Sequence, residues 1–120
     1  MYLEDLRTYC ISKVGVEETL PFDNDTLVFK VMGKMFALTS ISQGKSVSLK
    51  CDPELAVELR ERYHGVEAGW HMNKQHWNTV QLDADYTDQD LKTWIDNSYN
   101  LVVNSLTKKL KVELELMSKL

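Results

Sequence analysis

Cysteine, proline and glycine are all scarce in this chain of 120 residues, which holds two Cys, two Pro and five Gly. Cys10 and Cys51 lie far apart with no C-x-x-C spacing. That removes a disulfide framework, a zinc ribbon and a thioredoxin-like pair, and each thiol reads as a small buried apolar residue. With few prolines and glycines and no repeat or low-complexity tract, collagen-like and linker-rich organisations are excluded. Long apolar runs are missing as well. Nothing approaches the roughly 18 to 20 residues of a membrane span, and the start, Met1-Tyr2-Leu3-Glu4-Asp5, lacks the basic and apolar regions of a signal peptide. The expectation is a cytoplasmic protein with no membrane partner. An excess of basic charge is also absent: the net charge is −4 and the pI about 5.3, whereas a generic polyanion binder is basic overall.

What is present is enough for a core. At 43% hydrophobic residues, the chain reads as one domain over 1–120. Leu3, Leu6, Cys10 and Val14 recur at helical spacing before Gly15, which predicts a first helix. Residues 16–20 read as a strand ending at Pro21. Two β-prone runs, 26–32 and 35–39, are separated by Gly33 and Lys34, which predicts a tight hairpin with Gly at the first central position of a type II′ turn. A turn at Gln43-Gly44-Lys45 leads into a third strand, 46–50. Asp52-Pro53-Glu54 is a strong helix start, with Leu55, Leu59 and Tyr63 on one face. After an irregular stretch, 79–82 reads as a further strand. Thr87 with Asp90 forms a capping-box pattern ahead of a long amphipathic helix through Leu91, Ile95, Ser98 and Val102. The tail from Lys108 fits both periods, and helix is preferred. The order predicts an α+β fold: an antiparallel sheet with N-terminal, middle and C-terminal helices.

The densest chemistry lies in residues 69–78, Gly-Trp-His-Met-Asn-Lys-Gln-His-Trp-Asn. His71 and His76 are five apart, so on a helix they would diverge by about 140° and on a strand they would face opposite sides; no metal site follows. Cys51 precedes a helix start, but nothing sets a histidine beside it, so nucleophilic catalysis is not indicated. Glu17 and Glu18 on an extended segment point to opposite faces and cannot act as a dyad. Asp83, Asp85, Asp88 and Asp90 lack the Gly and distal Glu of a calcium loop and suit turns and caps. Two readings remain for 69–78. One is a polar corner, with Asn, His and Trp satisfied internally. The other is a binding surface, where Trp and His stack, Asn hydrogen-bonds and Lys74 supplies charge.

Charge is distributed unevenly. Residues 26–51 hold Lys30, Lys34, Lys45 and Lys50 and no acid, and residues 68–82 hold Lys74 and no acid. The negative net charge therefore averages a basic sheet with acidic helices. Such a sheet fits an anionic partner, although lysine on strand edges also guards against aggregation.

Several of these segments together resemble the MmcQ/YjbR family of small bacterial proteins. They are Gly15-Val16-Glu17-Glu18 with Pro21-Phe22; Lys30-Val31-Met32-Gly33-Lys34-Met35-Phe36; Ser48-Leu49-Lys50-Cys51-Asp52-Pro53; the run 69–80 with its His-x-Asn-Lys-x-His-Trp core; and Trp94-Ile95-Asp96 with Ser98-Tyr99. Members often carry Pro-Gly-Tyr where this chain has Ala68-Gly69-Trp70. The resemblance implies a CyaY-like or secretion-chaperone-like fold with a double-wing arrangement suited to DNA, and it implies no catalytic residues. The expected function is thus that of a non-enzymatic DNA-binding protein with no cofactor or metal. Lys30, Lys34, Lys45, Lys50 and Lys74 would meet phosphates. Trp70, His71, Asn73, His76 and Asn78 would complete the surface. The alternative is a protein-interaction or chaperone-like adaptor. A weaker third reading is an enzyme with a pocket for a small anion around His71 and His76.

Overall fold

Helices begin where short polar side chains precede apolar periodicity. In the computed structural model, which describes residues 1–69 and 72–120, Asp52 accepts the amide of Leu55 ahead of α2 (Pro53–Arg62), with Pro53 in the first turn. Thr87 and Asp90 exchange both capping-box hydrogen bonds ahead of α3 (Asp88–Asn104). Thr107 caps α4 (Lys108–Met117), so the ambiguous tail is helical. The first helix, α1 (Leu3–Ile11), is shorter than its apolar spacing predicts. Leu6 and Cys10 are fully buried, but Val14 lies beyond the helix and is exposed, and the positive φ falls at Gly15 (73°).

Among the described residues six strands form one antiparallel sheet: β1 (Val16–Thr19), β2 (Thr26–Val31), β3 (Lys34–Ser40), β4 (Ser46–Lys50), β5 (Val66–Ala68) and β6 (Trp77–Gln81), in the order β1-β2-β3-β4-β6-β5. Strand β5 falls within the stretch that reads as irregular in the sequence, since three residues give no measurable alternation. The β2–β3 turn also differs from expectation by one residue. Val31 pairs with Lys34, so Met32 and Gly33 are the central pair, both at positive φ (50° and 85°). That is a type I′ turn, which matches strand twist better than type I or II.

A bulge interrupts the β2–β3 ladder. The register shifts between Phe29 and Lys30, which pair with Ala37 and Met35 respectively. The extra residue, Phe36, turns inward beside Ala37, and both are fully buried. The carbonyl of Phe36 accepts from Ser98 Oγ (2.5 Å), and Ser98 Oγ in turn accepts from the amide of Lys50 (2.9 Å). Ser98, fully buried on α3, thus joins β3 and β4 at the point where the ladder is interrupted.

The helices cover one face of the sheet. Leu27, Phe29, Val31, Phe36, Val47, Leu49 and Val80 meet Leu6, Cys10, Leu91, Ile95 and Val102 in the main core. Tyr9 Oη and Lys13 Nζ both donate to Asp96, tying α1 to α3. Tyr99 donates to the carbonyl of Val14 and packs edge-on against Phe36. The fold is α+β, as the sequence predicts. No helix among the described residues is long and apolar enough to cross a membrane.

Candidate nucleic-acid interface

Strand alternation places every second residue on the face opposite the helices. Read through the register, Thr26, Ser40, Ser46 and Gln81 lie nearest the β3–β4 turn; Thr19, Val28, Leu38, Ser48, Thr79 and the exposed Glu67 form the next row; and Glu17, Lys30, Met35, Lys50 and Trp77 lie nearest the β2–β3 turn. Lys30 and Lys50 flank β3, so their backbones are about 10 Å apart, two strand spacings. Glu17 is directly across from Lys30, while Glu18 turns to the helix side and meets Arg7 Nε at 2.7 Å. These carboxylates occupy opposite faces, as their spacing predicts.

The other sequence-predicted residues separate. Lys34 belongs to the covered side at the hairpin tip, where its Nζ donates to the carbonyl of Ser105 (3.3 Å) at the end of α3. It supplies a cation that the last turn of α3 lacks. Lys45 lies at the opposite end of the sheet, where its carbonyl accepts from Leu82 (2.8 Å). Lys74 and Asn73 are exposed in the loop before β6, at the same end as Lys30 and Lys50. Asn78 is a correction to the sequence reading. It is only 2% exposed, its Oδ1 accepts from Arg60 Nε (2.7 Å) and its Nδ2 donates to the carbonyl of Ala56 (3.3 Å), so it fastens α2 to β6 and is spent inside the molecule. His76, half-buried, accepts through its carbonyl from the amide of Cys51 (2.7 Å). Trp70 and His71 lie outside the described residues.

Arg60 is a residue that sequence reasoning passes over. Besides Asn78, its guanidinium donates to the carbonyl of Lys74, so one α2 side chain anchors both β6 and the loop before it. Gly69 fits the same corner: a Cβ there would come within 2.8 Å of Trp77 Cβ, and Trp77 itself is only 8% exposed.

Three further lysines escape the sequence pattern. Because Lys34 reaches Ser105, Lys108 lies within about 11 Å of that carbonyl, the reach of three extended residues, and Lys109 and Lys111 come next in α4. The first turn of α4 contains no acid. Lysines there oppose the helix dipole, so helix formation does not account for them. The molecule is therefore polar along its strands. Lys30, Lys34, Lys50, Lys74, Lys108 and Lys109 collect towards the β2–β3 turn, with Glu17, Asp52 and Glu54 among them. Asp23, Asp25, Asp83, Asp85, Asp88 and Asp90 collect at the far end.

The open face forms a groove of about 620 Å³. Its floor carries Leu38, Ser46, Ser48 and Thr79, and its walls carry Phe22 from the β1–β2 loop and Met72 and Asn73 from the loop before β6. Ser48 and Thr79 hydroxyls lie 3.0 Å apart on the floor. Phe22 is 64% exposed. The wall that carries it is fastened by Asp25, whose carboxylate accepts from Ser40 Oγ (2.6 Å) and the Ser42 amide (2.7 Å). Those bonds hold the Asp25 carboxyl below the ordinary carboxylate range.

The thiols are not prepared for chemistry. Burial pushes Cys10 up to about 12, and burial together with Asp52 pushes Cys51 up to about 11, opposite to the lowering that a reactive thiolate needs. Among the described residues no three His, Cys, Asp or Glu side chains converge.

Comparison with known proteins agrees with the motif pattern. The chain is 36% identical over 118 residues to uncharacterized protein YjbR of Escherichia coli K12, covering 95% of this chain and all of that one. It is 37% identical over 95 residues to uncharacterized protein YbdF of Escherichia coli O157:H7, covering 78% of each. The crystal structure of Deinococcus radiodurans protein DR2400, of domain family DUF419, superposes with a TM-score of 0.87 at 40% identity, over 95% of this chain and 88% of that one. A Pseudomonas syringae protein superposes with a TM-score of 0.73 at 28% identity, over 84% and 98% of the two chains. The YjbR family model matches residues 11–101. With its fold, its motif run and these relatives in agreement, the chain belongs to the YjbR family.

Proposed function

We propose that the protein is a non-enzymatic binding module for DNA, and that the basic end of the sheet, with the loop before β6, is the contact surface. The observation that carries this reading is the gathering of Lys30, Lys50 and Lys74 with Lys34 and the α4 lysines at one end, in a chain whose net charge is negative. Phosphates attract such a cluster, and each lysine that neutralises one releases a counterion. Asn73, exposed beside Lys74, would meet a base edge through its Nδ2, since its Oδ1 accepts from the Gln75 amide (2.9 Å). The acidic far end repels the same polyanion and so orients the approach. Lys45, at that far end, lies outside the contact surface.

The test is a titration of labelled DNA at two salt concentrations. Binding is expected at low salt and is expected to weaken steeply as salt rises. Combining Lys30→Glu with Lys50→Glu is expected to reduce affinity at least tenfold, and Lys45→Glu to leave it within twofold. No binding at low salt, or indifference to the double substitution, sinks the reading.

A protein-interaction adaptor is the second reading. It is favoured by α4, where Val112 and Leu116, one turn apart, are 48% and 60% exposed. That reading expects a stable complex or dimer that salt does not disrupt, measured by light scattering, and its loss in Leu116→Glu.

A further inference from the structure

We propose that the open-face groove takes single-stranded nucleic acid, with unpaired bases in the groove and phosphates along Lys30 and Lys50. This rests on the nucleic-acid reading above and adds which form is bound and where its bases go.

Three observations carry it. The first is the chemistry of the groove. Its floor offers the Ser46 and Ser48 hydroxyls, with Leu38 and Met35 beside them, while Thr79, 2% exposed and 3.0 Å from the Ser48 hydroxyl, is covered. Among the described residues no lysine or arginine lines it and the Asp25 carboxylate does, so a phosphate backbone is kept out, whereas the flat face and polar edge of a base suit a mixed hydroxyl and apolar surface. The second is Phe22. An aromatic ring 64% exposed at the lip of a groove contributes little to stability, but it is the element on which a base stacks whatever its identity. Met72 on the opposite wall adds a polarisable thioether suited to a ring edge.

The third observation is the position of charge relative to the groove. Lys30 and Lys50 lie in the same row as Met35, which lines the groove, so the cations border the uncharged floor at one end while Asp25 stands at the other, which holds the phosphates to the lysine end. A strand crossing that row places phosphates on the lysines while its bases turn towards Leu38 and Ser48. A duplex cannot use this arrangement, because its bases are stacked and paired inward and extruding them costs a few kcal/mol. On a duplex only the lysines would engage, and the groove and Phe22 would stand idle. The floor, four strands across, is about 14 Å wide, which accommodates one unpaired strand lying flat.

The experiment compares a labelled ten-nucleotide single strand with a hairpin duplex of the same sequence by fluorescence anisotropy at low salt. The proteins are the unaltered chain, Phe22→Ala, Phe22→Trp and the Lys30→Glu/Lys50→Glu pair, each checked for an unchanged melting temperature. The single strand is expected to bind at least tenfold more tightly than the duplex. Phe22→Ala is expected to weaken the single strand at least fivefold and the duplex less than twofold, and Phe22→Trp to retain binding. Equal binding of both forms, weakened by the lysine substitutions and indifferent to Phe22, overturns the groove assignment and leaves the DNA-binding reading standing. Failure of both forms to bind at low salt overturns both.

Discussion

The two faces of the sheet are made by the same strands and differ in side-chain chemistry and in how much of each meets water. On the covered face, Leu27, Phe29, Val31, Val47, Leu49 and Val80 are 9% exposed or less and pack under the helices. On the open face, Thr26, Lys30, Met35, Ser46, Ser48 and Lys50 are each partly exposed, while Val28, Thr79 and Trp77 are covered. Alternation assigns one set to holding the molecule together and frees the other for contact. The open face is thus not an unfinished core: its hydroxyls and lysines lose little in water, and a partner must offer polar as well as flat apolar surface to replace that water.

Adjacent residues of β3 give the sharpest test of this division. Phe36→Ala removes a fully buried ring that packs against Tyr99 and should cost about 4 kcal/mol in urea unfolding. Met35→Ala, one residue away on the other face, should cost less than about 1 kcal/mol. Comparable losses at both would mean that the open face is covered in solution, as a second copy of the chain would do. The next largest effect is expected at Ser98. Its hydroxyl serves the Phe36 carbonyl and the Lys50 amide, the two backbone groups that it joins across the bulge. Ser98→Ala should cost about 2 kcal/mol, the usual range for stranding buried backbone groups. Because Lys50 is held through that amide, the same variant should also weaken DNA binding. Loss of stability with unchanged affinity would separate the bulge from the interface.

Much of the covered face is legible in the sequence, and much of the open face is not. Helix starts at Asp52 and Thr87 declare themselves through capping, because the cap and the amide it serves are three residues apart. Strand facing depends on register, which is a long-range property. A turn displaced by one residue to Met32 and Gly33, and a bulge at Phe36, decide that Lys34 serves the helix side while Lys30 faces outward. Asn73 serves a local turn, its Oδ1 accepting from the Gln75 amide two residues on, whereas Asn78 is claimed by Arg60, eighteen residues earlier, and no local pattern announces that pairing. The acid-free segments are a sound signal for Lys30, Lys50 and Lys74. They mislead for Lys45 because two ends of one strand lie at opposite ends of the molecule. The α4 lysines escape notice since long-range contacts, the Lys34 to Ser105 hydrogen bond and the packing of Leu114 and Met32 around Gly15 among them, bring that helix to the hairpin.

On the open face the charges should act singly and additively. Each of Lys30→Gln and Lys50→Gln is expected to reduce the dependence of log affinity on log salt by about 0.7 to 0.9, one phosphate's worth, while unfolding free energy stays within about 0.5 kcal/mol. Glu17→Gln, which removes the carboxylate across from Lys30, should raise affinity about two- to threefold. A fall in affinity would show that Glu17 positions Lys30 and does not merely repel phosphate.

The smallest expected effect concerns acid. The covered face is held by apolar burial and should not respond to mild acid, whereas the groove wall depends on the Asp25 carboxylate. Hydrogen bonds from Ser40 Oγ, and then the Ser42 amide, lower its pKa from 3.8. A group with a depressed folded pKa contributes stability above its unfolded pKa and loses it as pH falls through the folded value. The wall that carries Phe22 should therefore stay fastened at pH 5 and loosen only below 3.8, with the core intact. The Ser42 amide resonance, followed by NMR from pH 6 to 2, should titrate with a midpoint below 3.8. Asp25→Asn, which keeps an acceptor but not the charge, should abolish that titration without unfolding the protein. A midpoint at or above 3.8 would mean that the carboxylate is not engaged, and the wall would then be free to swing away from the floor at every pH.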